Sequence, residues 1–204
     1  MNIFSLMLHG FGLQRFGVRH IADQFAREGY FVLIPDLFYR DPIPEFRDEN
    51  FSIDYWERFH RPEGTGRIVN KMIQTMRDTL GCKRIGGVGY SFGGDCLCQY
   101  LERGKLDVGF IAHPNYLDTE LLATIEGPLS LASGARDSVF TTADRHEAEL
   151  ILEEIKYPYQ ITVYSHVGHG FSGNGNPWVT VQRFGMEQSF QQALVWFDEY
   201  LKKD

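Results

Sequence analysis

The sequence predicts an α/β fold in which a mostly parallel sheet carries helices on both faces, and three observations support this. Short apolar runs alternate with amphipathic stretches throughout the 204-residue chain, as they do when helical crossovers join parallel strands. The runs are continuously apolar, the pattern of strands buried on both sides. No repeat, low-complexity tract or linker divides the chain, so one domain over residues 1–204 is expected.

The first strand is expected at residues 3–8. The helix after it, 18–28, sets Ile21, Ala22 and Phe25 on one face and stops at Gly29. A second strand, 30–35, is expected at an unprotected edge, which makes a homodimer as plausible as a monomer. Residues 35–62, rich in Pro, Asp and aromatics, read as an excursion above the sheet and a candidate substrate cap. Ile68, Met72, Met76 and Leu80 form the stripe of a helix over 67–80 that ends at Gly81. The third strand, 84–89, runs into a glycine-rich turn and a helix over 95–101. Strands over Val108–Ala112, 129–132 and 160–164 complete the sheet, and helices over 142–155 and 185–201 cover it.

A net charge of -7 with scattered Lys and Arg offers no basic footprint, which argues against nucleic-acid binding. The first apolar run is too short for a membrane span and lacks the flanks of a secretory leader, so a cytoplasmic protein is expected. The three cysteines, Cys82, Cys96 and Cys98, have neither CxxC nor zinc-ligand spacing and read as reduced, buried thiols. No metal site is expected.

The sharpest motif is Gly89-Tyr90-Ser91-Phe92-Gly93-Gly94, a Gly-x-Ser-x-Gly turn between a strand and a helix. Such a turn holds a nucleophile on strained backbone with its oxygen exposed, and the glycines remove side chains that would block close approach. A tight packing turn or a phosphate-binding loop is the alternative. A hydroxyl is a weak nucleophile, so the motif calls for a base and an orienting acid later in the chain. Asp137 follows the strand at 129–132 and His169 follows the strand at 160–164, both at carboxyl ends where active groups of open α/β sheets collect. His166 is the rival base; Asp95, Asp107 and Asp118 compete for the acid role. His20, His60, His113 and His146 read as surface or packing residues. The Phe92 N–H and one from Gly10 or Phe11, in His9-Gly10-Phe11-Gly12, are the candidate oxyanion donors.

Taken together, His9-Gly10-Phe11-Gly12, Ala22-Asp23-Gln24-Phe25-Ala26 with Gly29-Tyr30, Pro35-Asp36-Leu37-Phe38, the Ser91 turn, Ala112-His113-Pro114, residues 132–140 and His169-Gly170-Phe171 resemble the dienelactone hydrolase family, particularly its fungal members. The resemblance implies an α/β-hydrolase fold, no metal or organic cofactor, a Ser91, His169 and Asp137 triad, and hydrolysis of a small ester or lactone. It also implies departures. Ser91 stands where the family typically has cysteine, His9 where bacterial members carry an acidic residue, and Gly173 where they carry an arginine that grips a substrate carboxylate. The family's N-terminal strands are expected to be missing. His9, Tyr39, Trp56, Tyr90 and Phe171 are the candidate substrate contacts, although most aromatics of residues 35–62 read as packing. Two alternatives stay open: release or cyclisation of a polyketide-like acyl chain, and a non-catalytic binding protein on a hydrolase scaffold, including one in which serine has been substituted for cysteine to trap a ligand.

Overall fold

The structure is a computed structural model that describes residues 4–9, 16–44, 49–60 and 62–203. Its sheet has six strands: β1 (Phe4–His9), β2 (Phe31–Leu33), β3 (Ile85–Tyr90), β4 (Val108–Ala112), β5 (Leu129–Gly134) and β6 (Tyr159–Tyr164). They lie in the order β2-β1-β3-β4-β5-β6, and every pairing is parallel. The order reverses between β1 and β3, so their carboxyl ends flank a crevice of the kind in which α/β sheets hold ligands.

Side-chain alternation sorts the core into two layers. Val88, Tyr90, Phe110 and Ala112 face α1 (Phe16–Arg27) and α8 (Thr180–Tyr200), where Ile21, Phe25, Ala193 and Phe197 close one cluster. Ile85, Ile111, Leu129 and Leu131 face the other way, toward α3 (Pro62–Gln74), α4 (Gly93–Cys98) and α6 (Thr142–Glu154). Two faces buried at once explain why the strands read as unbroken apolar runs. Gln192 of α8 is buried yet satisfied: it donates to Ser130 Oγ at 2.9 Å and Leu131 O at 3.2 Å and accepts from the Tyr164 hydroxyl at 2.8 Å. That network ties α8 to β5 and β6.

The expected second strand lies at the sheet edge but is only Phe31–Leu33 long. Residues 67–80 are not one α-helix: α3 passes into a π-helical turn at Thr75–Thr79. The Leu80 N–H reaches Thr75 O at 3.1 Å, five residues back. The wider turn moves Leu80 off the stripe, so Met76 is fully buried while Leu80 is 39% exposed. Arg77, on this turn, donates to Lys105 O at 2.6 Å and Asp107 Oδ2 at 2.7 Å, anchoring it to the loop before β4.

The 35–62 excursion contains a helix, α2 (Ile53–Phe59). Trp56 is buried there, stacked on His60 with centroids 4.1 Å apart and set edge-on to Phe38 at 4.9 Å. Its indole N–H donates to Asp41 O at 2.9 Å, and His60 lies 3.3 Å from Asp41 Oδ2. Two short helices, α5 (Thr119–Ala123) and α7 (Phe171–Asn174), complete the elements.

Candidate active site

Ser91 sits between β3 and α4 with a left-handed φ of 55°, a strained conformation for a residue with a Cβ. Its neighbours make the turn possible. A Cβ on Gly89 would lie 2.4 Å from Gly93 O, and one on Gly94 would lie 2.8 Å from Pro114 Cβ. The turn is fastened to the next strand, since the Ser91 N–H donates to Ala112 O at 3.2 Å and the Asn115 N–H donates to Ser91 O at 3.3 Å.

The hydroxyl oxygen of Ser91 lies 3.0 Å from His169 Nε2. On the far side of the ring, His169 Nδ1 lies 3.2 and 3.1 Å from the two oxygens of Asp137. The three residues come from turns after β3, β5 and β6, which meet at one end of the sheet. A carboxylate only accepts, so Nδ1 carries the hydrogen toward Asp137, and in the neutral imidazole Nε2 presents its lone pair to Ser91. Burial opposes the Asp137 charge, but hydrogen bonds from His169 and from the Val139 and Phe140 N–H groups, at 2.8 and 3.1 Å for the latter two, hold its carboxyl below the usual carboxylate range.

The rivals are occupied elsewhere. His166 is exposed and lies 2.7 Å from Ser165 Oγ. Asp107 pairs with Arg77, Asp118 accepts from the Glu120 and Leu121 N–H groups at the start of α5, and Asp95 accepts the Asp118 N–H at 2.9 Å. Burial pushes the Cys96 thiol up to about 12 and the Cys98 thiol up as well, the behaviour of inert packing cysteines. Among the described residues no group of three or more His, Cys, Asp or Glu could hold a metal ion, and no helix is long and apolar enough to cross a membrane.

The remaining candidates scatter. Phe92 follows Ser91 directly, but Gly10 and Phe11 lie outside the described residues, as does the side chain of His9, whose backbone pairs with Tyr90 at the end of β1. Tyr90 and Phe171 are buried, Phe171 against His113 at 5.7 Å. Tyr39 is 67% exposed on a turn, and Trp56 packs on Phe38, whose ring is 5.5 Å from that of Phe92.

Two neighbours of the triad stand out, Asn115, which the sequence had not singled out, and His113, which it had read as a surface or packing residue. Asn115 Oδ1 accepts the Ser91 hydroxyl at 2.6 Å. His113, buried with a φ of 39°, sets its ring edge-on to His169 at 5.3 Å. A cavity of about 670 Å³ lies between α1, α7 and α8, bounded by Ile21, Arg27, Tyr90, Gly173, Arg183 and Phe190; none of Ser91, Asp137 and His169 lines it.

Known proteins agree with this architecture. The chain is 47% identical to hydrolase pyvD of Aspergillus violaceofuscus over 193 residues, covering 95% of this chain and 79% of that one. It is 42% identical to hydrolase tropI of Talaromyces stipitatus, covering 90% and 75%. Its fold matches the crystal structure of a dienelactone hydrolase from Anabaena variabilis with a TM-score of 0.65 at 16% identity, covering 98% and 87%. The profile of the Dienelactone hydrolase family matches residues 7–201. The chain therefore belongs to the dienelactone hydrolase family, carboxylic ester hydrolases built on the α/β-hydrolase fold.

Proposed function

We propose that this chain hydrolyses a small ester or lactone through an acyl-enzyme on Ser91, with His169 as base and acid and Asp137 as its orienting partner. The observation that carries the reading is the unbroken line of contacts from Ser91 Oγ to His169 Nε2 at 3.0 Å and from Nδ1 to Asp137 at 3.1 Å. In the first half-reaction Ser91 Oγ bonds to the carbonyl carbon as its proton passes to Nε2, and the carbonyl π pair moves onto oxygen. The Phe92 N–H is the proposed donor to that oxygen, with Gly10 or Phe11 as the second. Collapse expels the alcohol oxygen, which takes the proton from Nε2. Water then repeats the sequence, giving a proton to Nε2 and releasing the acid and the Ser91 hydroxyl.

The small-substrate reading is supported by the match to the dienelactone hydrolase family over residues 7–201. On the cap side Phe92, next to Ser91, packs on the buried Phe38, which in turn packs on Trp56. Ser91→Ala and His169→Ala should each lower kcat on a chromogenic short-chain ester by at least about a thousandfold. Undiminished turnover in either variant overturns the assignment. A product cyclised from a bulky thioester would instead indicate acyl release, and tight ligand binding without turnover a binding protein.

A further inference from the structure

We infer that Asn115 restrains the nucleophile at rest by competing with His169 for the Ser91 proton; the inference depends on Ser91 being the nucleophile. Ser91 Oγ has one hydrogen and, among the described residues, two acceptors beside it: Asn115 Oδ1 at 2.6 Å and His169 Nε2 at 3.0 Å. Both cannot receive it. With the proton on the Nε2 line, two oxygen lone pairs would face each other at 2.6 Å, so in this arrangement the Ser91 hydroxyl donates to Asn115 Oδ1. The shorter contact thus draws the hydroxyl away from its base.

Asn115 is held there by more than its side chain. Its backbone N–H donates to Ser91 O at 3.3 Å, and Pro114, one residue earlier, packs against Gly94. Backbone and side chain therefore grip the same nucleophilic turn, while the exposed position leaves the carboxamide within reach of an entering substrate. Half a rotation about Cβ–Cγ would replace Oδ1 by Nδ2, a donor, and leave the hydroxyl free to point at Nε2. The acceptor orientation is the restraint, and its loss is the release.

The test is the rate at which a fluorophosphonate labels Ser91, a step in which Oγ–P forms, P–F breaks, fluoride leaves and the serine proton passes to Nε2. Asn115→Ala should label about two- to tenfold faster than the wild type, the range expected when one neutral hydrogen bond to the ground state is removed. Asn115→Asp, a stronger acceptor that cannot become a donor, should label slower by at least as much. Thermal melting establishes that each variant is folded, and Asn115→Leu replaces the Ala variant if that one is not. Labelling in the Ala or Leu variant that is equal to or slower than wild type overturns the inference, as does labelling in the Asp variant that is equal or faster. If the wild type is not labelled at Ser91, the proposed function falls and takes this inference with it; if it is labelled without that order, this inference alone falls.

Discussion

Asp137 meets His169 through both carboxylate oxygens, at 3.2 and 3.1 Å from Nδ1, while one of them also accepts the Val139 and Phe140 N–H groups. The carboxylate therefore fixes the tautomer of the ring and is itself fixed by the backbone after it. Asp137→Asn should keep the fold but lower kcat by about 10³–10⁴-fold, because an amide can satisfy the wrong tautomer. Steady-state kinetics on a short-chain ester, with circular dichroism as a control, reads it.

The same carboxylate should contribute to stability in a defined pH range. Folding lowers its pKa, so the native state binds that proton less readily than the unfolded chain. Its contribution is complete above the unfolded value, near ~4, and disappears as pH falls through the lower native value. The melting temperatures of wild type and Asp137→Asn should therefore differ at pH 7 and converge toward pH 3. A difference that persists unchanged at pH 3 would refute this.

Gly89→Ala should be among the most disruptive single-methyl changes. The new Cβ would meet Gly93 O at 2.4 Å, backbone against backbone, with no side chain to give way. A loss of at least about 1–3 kcal/mol is expected in urea unfolding, together with loss of Ser91 labelling.

Gln192→Leu should cost about 1–3 kcal/mol, since it leaves the buried Ser130 and Tyr164 hydroxyls without the partner they share. No change in KM is expected, because the network lies between α8 and the strands, away from Ser91. Urea unfolding and ester kinetics on one preparation separate the two effects.

Trp56→Ala should loosen the cap. The indole packs against Phe38 and His60 and donates to Asp41 O at 2.9 Å, so its removal leaves space into which Phe38, and with it Phe92 beside Ser91, can shift. A drop of about 3–5 kcal/mol in stability is expected if the cap unfolds with the core. The ratio of kcat/KM for short and bulky esters should shift toward the bulky one.

Much of this was legible in the sequence because parallel strands buried on both faces leave unbroken apolar runs, and a nucleophile turn leaves a glycine pattern. Ser91, Asp137 and His169 each stood just after such a run. The π turn at Thr75–Thr79 was hidden, because the spacing of Met72, Met76 and Leu80 suits an ordinary helix and the Arg77 contacts that accompany the turn come from distant loops. Asn115 was hidden for a different reason. An asparagine after a strand has a ready local explanation as a turn residue, and only the pairing of β4 beside β3 brings it to Ser91.

The glycines around Ser91 have an evolutionary consequence. The turn takes its shape from what Gly89 and Gly94 lack, from the Ala112 carbonyl and from Pro114, none of which involves the atom that Ser91 carries at its tip. The location of the reacting group is thus encoded separately from its element. A different nucleophilic atom at this address would meet the same backbone, which leaves the chemistry of the position open to retuning one side chain at a time.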